Sequence, residues 1–101
     1  IEYAIDHLGS NLVVVLGHTN CGAVGAAIGG HTGGFIKSIT DEIKAAIGEE
    51  TDGYKASCLN VEHAISKIKD NLPMLNGSDS QGAKVIGAIY HINDGHVEFL
   101  D

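Results

Sequence analysis

His18 and Cys21 stand three positions apart in the segment Gly17-His18-Thr19-Asn20-Cys21-Gly22. An imidazole and a thiol are both zinc-type ligands, so the pair could hold part of a metal site. His-x-x-Cys is also short and common, and by spacing alone it reads sooner as a turn histidine beside a buried thiol. Its flanks carry more information. The preceding run Leu12-Val13-Val14-Val15-Leu16 is continuously apolar, the pattern of a strand buried on both faces. Gly17 breaks that strand, and small residues from Cys21 to Ile28 predict a short, tightly packed helix. A ligand pair at a strand end is held more rigidly than one on a surface loop.

Other reactive side chains are scattered. Cys58 is in principle a third ligand, but its neighbours Lys55-Ala56-Ser57 and Leu59-Asn60 read as helix, and a free cysteine is usually a small buried apolar residue. Cys21 at a helix start also admits a redox-active thiol. His31, in the glycine-rich stretch 29–34, is either a proton shuttle or a solvated loop residue. That stretch lacks the Gly-Lys-Ser/Thr ending of a phosphate loop and reads as a hinge. His7, His63, His91 and His96 show no mutual spacing that suggests a site, and the last two are expected to face water. Tyr90 and Phe99 read as core or interface aromatics. Glu49, Glu50 and Asp52 read as a solvated acidic loop.

The elements that must position the pair follow from periodicity. Apolar residues at 1, 4, 5 and 8 predict a helix stopped by Gly9. Phe35, Ile36, Ile39, Ile43 and Ile47 form a second helical stripe that ends near Gly48. A third helix is expected from Lys55 to Asn71, with Val61, Ala64, Ile65 and Ile68 inward and Pro73 and Gly77 in the loop after it. Lys84–Tyr90 predicts a buried strand, Asn93-Asp94-Gly95 a hairpin turn, and His96–Leu100 an edge strand. Helices separate the two apolar strands, which makes them parallel with a right-handed crossover. The fold class is therefore α/β: a parallel core flanked by helices with an antiparallel C-terminal edge strand. A sheet of two or three strands under this many helices is unfinished. The chain also opens on a helix with no strand before it, so we expect a single domain over 1–101 that is incomplete at its N-terminus or completed by a partner.

Composition narrows the function. A chain of 101 residues with 44% apolar residues is one soluble globular domain at most. Thirteen acidic residues against six basic ones give a net charge of −7, and every basic residue is a lysine. That argues against nucleic acid, which needs clustered cations, and removes the bidentate arginine clamp for anionic substrates. A small neutral substrate fits better. The longest apolar run is too short for a bilayer, no signal peptide is visible, and two cysteines are too few for a disulfide scaffold, so a reducing cytoplasmic setting is expected.

The segment Leu12–Val24, with Gly-His-Thr-x-Cys-Gly-Ala after an apolar strand, resembles the second zinc-ligand region of the β-class carbonic anhydrases. Ile1-Glu2-Tyr3-Ala4, Asn60-Val61 and the run Gly87–Leu100 are similar to the same family, so the resemblance extends from residue 1 to about residue 100. It implies a Zn2+ cofactor held by His18 and Cys21, with the Gly22 amide near substrate or product, and reversible hydration of carbon dioxide to bicarbonate. It also implies a homodimer or higher homo-oligomer. The family's first cysteine and its aspartate–arginine pair come from an earlier Cys-x-Asp-x-Arg segment that is absent here, and no catalytic acid or base can be assigned. The resemblance therefore leaves two alternatives: a non-catalytic dimerising module with a defective zinc site, or a relative that hydrolyses carbonyl sulfide or carbon disulfide.

Overall fold

The computed structural model describes residues 1–30, 33–72, 75 and 83–100. Its elements are α1 (Glu2–Leu8), β1 (Leu12–His18), α2 (Gly22–Gly29), a 3-10 turn (Gly34–Ile36), α3 (Lys37–Ile47), α4 (Gly53–Asn71), β2 (Lys84–Tyr90) and β3 (Val97–Phe99). The strands form one sheet in the order β1-β2-β3. β1 and β2 are parallel, with Leu12 opposite Lys84 and His18 opposite Tyr90. β3 returns antiparallel to β2, pairing Tyr90 with Val97 and Ala88 with Phe99. The expected α/β class and the mixed sheet are both present. His31, Pro73 and Gly77 lie outside the described residues.

Local chemistry sets the element ends. Gly9 closes α1 in the left-handed region at φ 73°, where only glycine is unstrained. The Asp52 carboxylate accepts a 3.0 Å bond from the Lys55 amide and caps α4. Glu50 accepts from the Thr51 and Asp52 amides. The acidic stretch before α4 is solvated, as read from the sequence, and in addition caps the helix.

α4 covers one face of the sheet. Its Val61 is buried and sits over two glycines: a Cβ on Gly17 would meet Val61 Cγ2 at 2.7 Å, and one on Gly87 would meet Cγ1 at 2.7 Å. Behind it α2, α3 and α4 share a core of Val24, Ala27, Ile43, Ile47 and Ala56. A second cluster, Ile5 with Leu75 and Ala83, joins α1 to the start of the sheet.

The opposite face corrects the expectation of a strand buried on both sides. Leu12, Val14 and Leu16 of β1 are 51%, 42% and 55% exposed, as are Tyr90, Val97 and Phe99 to similar degrees. Register puts all of these side chains on the face away from α4, where none of the described residues forms a second layer. Tyr90 and Phe99 are accordingly not core aromatics within this chain. The α3 stripe is also only half used: Ile43 and Ile47 are buried, while Phe35, Ile36 and Ile39 are exposed.

Candidate metal half-site and adjoining cavity

The turn that carries His18 and Cys21 is fixed at both ends. The Thr19 amide donates to the Tyr90 carbonyl at 3.0 Å, and Thr19 Oγ1 accepts from the Ile92 amide at 3.0 Å. Asn20 then adopts φ 56°, a left-handed conformation that asparagine tolerates better than most residues. Cys21 follows as the N-cap of α2, in extended geometry, and its carbonyl accepts the first helical bond from Gly25.

His18 Nδ1 lies 2.8 Å from the Thr19 carbonyl oxygen. A carbonyl only accepts, so Nδ1 carries the hydrogen and Nε2 presents its lone pair outward. In metal sites, a hydrogen bond from the other ring nitrogen to a carbonyl orients a ligating histidine in this way. His18 is exposed and Cys21 is half-buried, a free thiol packed against the α2–α3–α4 core.

An imidazole and a thiolate are donor types that zinc accepts, and a catalytic zinc site takes three protein ligands. Among the described residues no group of three His, Cys, Asp or Glu side chains could hold a metal ion. Cys58 therefore does not complete the pair. It sits on α4 beside Tyr54, and burial pushes its thiol pKa up, with a hydrogen bond to Tyr54 opposing that and the charges of Glu98 and Glu62 adding to it.

A cavity of about 380 Å3 opens beside the turn, between the N-termini of α2 and α4 and the β2–β3 connection. Cys21 and Tyr54 are on its wall; His18 is not. The Tyr54 hydroxyl donates to Glu98, with Oε1 at 2.9 Å and Oε2 at 2.8 Å, which ties the start of α4 to β3. That bond to a carboxylate raises the Tyr54 pKa strongly and keeps the phenol neutral.

Two histidines read from the sequence as solvent-facing are brought together here. The rings of His91 and His96 stack with centroids 4.0 Å apart and planes 8° apart. His91 Nε2 is 2.9 Å from Glu98 Oε1, and His96 Nδ1 is 2.7 Å from Asp94 Oδ1. His63 instead bonds Glu42 across α3 and α4 at 2.9 Å. The Asn-Asp-Gly turn signal, which folds residue 91 back on residue 96, was the one feature that could have revealed the stack.

The family model described as carbonic anhydrase matches residues 1–97. Carbonic anhydrase 2 of Mycobacterium tuberculosis is 38% identical over 100% of this chain and 54% of its own length. A carbonic anhydrase of Mycolicibacterium smegmatis is 31% identical over 97% of this chain and 53% of its own. The chain thus spans about half the length of the curated relatives it matches. Among solved structures, the β-carbonic anhydrase CafA of Aspergillus fumigatus superposes with a TM-score of 0.66 at 26% identity, covering 99% of this chain and 53% of that one. A chain from the crystal structures of two tetrameric β-carbonic anhydrases of Sordaria macrospora shares the fold, with a TM-score of 0.62 at 22% identity over 98% of this chain and 56% of that one. No helix among the described residues is long and apolar enough to cross a membrane.

Proposed function

Because the chain belongs to the β-carbonic anhydrase family, we propose that the intact protein hydrates carbon dioxide reversibly to bicarbonate, with His18 and Cys21 as two of the ligands to a zinc ion. The observation that carries this reading is the His18 Nδ1 bond to Thr19, which presents the bare Nε2 three residues before a thiol at the start of α2. When bound, zinc lowers the pKa of a coordinated water toward about 7 and supplies a nucleophile at neutral pH.

The chain's own residues do the remaining work. Thr19, bonded to β2 and to the connection after it, keeps the ligand turn in one conformation. The Gly22 amide, in the first turn of α2 where no side chain caps the helix, is available to an anionic product. Residues 1–101 act as one domain. The further zinc ligand comes from outside the described residues, supplied by another segment of the gene product or by a second copy.

The open sheet face supports a homodimer or larger homo-oligomer, since parallel sheets are normally covered on both sides. Two free thiols suit a reducing compartment such as the cytoplasm. The lack of a third donor among the described residues favours one second reading, a dimerising module without working metal. Hydrolysis of carbonyl sulfide or carbon disulfide would use the same ligands.

Elemental analysis of the purified gene product, with stopped-flow hydration of carbon dioxide, tests the reading. One zinc per chain and turnover, both lost in His18→Ala and in Cys21→Ser, are expected. Zinc below a tenth per chain with folding indifferent to chelator would establish the non-catalytic module.

A further inference from the structure

We propose that the stacked imidazoles of His91 and His96 are a proton-operated latch on the β2–β3 hairpin, closed while at most one ring is charged and opened when both are. The rings lie face to face, with centroids 4.0 Å apart and planes 8° apart. One imidazolium beside a neutral ring meets no opposing charge. Two imidazolium rings at that spacing repel. A pair of this kind takes up its protons in two coupled steps.

The surroundings decide which part moves. Glu98 Oε1 on β3 is 2.9 Å from His91 Nε2, and Asp94 Oδ1 in the turn is 2.7 Å from His96 Nδ1. From α4, Tyr54 reaches the pair with its ring centroid 6.0 Å from that of His91, and Cys58 and Glu62 follow on the same helix. The Tyr54 hydroxyl and the Cys58 thiol are both pushed up and stay neutral. Bonds from His91 and then Tyr54 hold Glu98 low, and bonds from the His96 amide and then its ring hold Asp94 low. Both carboxylates therefore stay ionised across the range in which imidazoles titrate. The two ion pairs are unequal. The His96 and Asp94 side chains are 56% and 64% exposed, against 23% and 40% for His91 and Glu98. Solvent screens the outer pair more, and Tyr54 also grips Glu98. When both rings are charged, His96 swings outward and His91 stays on Glu98.

The latch sits where the hairpin closes. The His91 amide donates to the His96 carbonyl at 2.9 Å, and the Gly95 amide donates to the His91 carbonyl at 2.7 Å. Between them the Ile92 amide donates to Thr19 Oγ1 at 3.0 Å, so the same turn braces the segment that carries His18 and Cys21. Opening the stack slackens residues 92–95 and that brace with them. Acid thus loosens the His18–Cys21 turn from the hairpin side, a local charge change read out by a neighbouring element.

Histidine-ring and amide NMR of the labelled gene product between about pH 8 and about pH 5 tests the latch. We expect the two rings to titrate in two separate steps, with ring-to-ring contacts seen at the high end and lost across the second step. Protection of the Ile92 amide against exchange, corrected for the intrinsic rate, should fall there by about fivefold or more. That is the factor to which repulsion of two unit charges 4.0 Å apart in water amounts. His96→Phe keeps a flat ring over His91 without a charge, and His91→Gln leaves one imidazole alone. In both variants the second step and the loss of Ile92 protection should disappear. A single shared step with the rings in contact throughout would overturn the latch. So would an equal fall in protection in both variants, which would trace the change to another titrating group such as His18. These readouts need no metal, so the zinc reading can fail without touching them.

Discussion

The two faces of the sheet are built from nearly the same residue types and behave oppositely. Toward α4, each methyl of Val61 rests on a glycine, with no room for a side chain beneath it. Away from α4, Leu12, Val14, Leu16, Val97 and Phe99 stand in solvent. Apolar content alone does not decide burial; the presence of a second layer does. The covered face carries the chain's own stability, and the bare one is left uncovered by the described residues.

The largest effects should come from the covered face. Gly87→Ala drives a Cβ to 2.7 Å from Val61 Cγ1 and 3.1 Å from Ile65 Cδ1. Valine in a helix has one strongly preferred rotamer, and turning Val61 away from Gly87 would press its other methyl onto Gly17. Overpacking of this kind costs about 1–3 kcal/mol. Val61→Ala alone removes buried methyl groups at a cost of about 2 kcal/mol. The double variant should cost less than the sum by about 1 kcal/mol, measured by urea denaturation. Strict additivity would mean that the glycines and Val61 do not share the contact.

Leu16→Lys probes the bare face. If that face meets another copy, the chain's own unfolding midpoint should move by no more than about 0.5 kcal/mol, as for an exposed position. Sedimentation should meanwhile shift from oligomer to monomer. A loss of stability at constant mass would instead show that another part of the same gene product covers the strand, and the contrast between faces would then be one of missing sequence rather than of assembly.

Much of this was legible in the residues. Helix and strand positions followed from apolar spacing and from Gly9, Gly48 and the Asn-Asp-Gly turn, because those signals are local. The turn that carries His18 and Cys21 was legible because Gly-His-Thr-x-Cys-Gly-Ala combines a strand end, a break and a helix start in one window. What covers Leu12–Leu16 was not, since a continuous apolar run reports only that a strand seeks burial and not whether its partner lies in the same chain. The cluster of Tyr54, Glu98, His91 and His96 was invisible for a different reason: it joins α4 to β3 across 44 positions, and no periodicity encodes that. The cap at Asp52 was not legible because its signal depends on where α4 starts, two residues earlier than the spacing predicts.

The smallest expected effect lies where the covered face meets solvent. Glu98 points to the α4 side of β3, and bonds from His91 and then Tyr54 hold its carboxyl below the usual glutamate pKa. A folded-state pKa below the unfolded one adds stability that is present above the unfolded value of about 4.3 and is lost as pH falls through the folded one. The tie between α4 and β3 should therefore loosen only under acid, below about pH 4. Glu98→Gln should flatten that limb of a denaturation-against-pH curve while leaving the neutral plateau nearly unchanged, because an amide oxygen still accepts from Tyr54. Solvent at the carboxylate keeps the effect modest. An acid limb of undiminished slope in Glu98→Gln would place the acid sensitivity elsewhere and leave the Val61 packing as the covered face's only demonstrated tie.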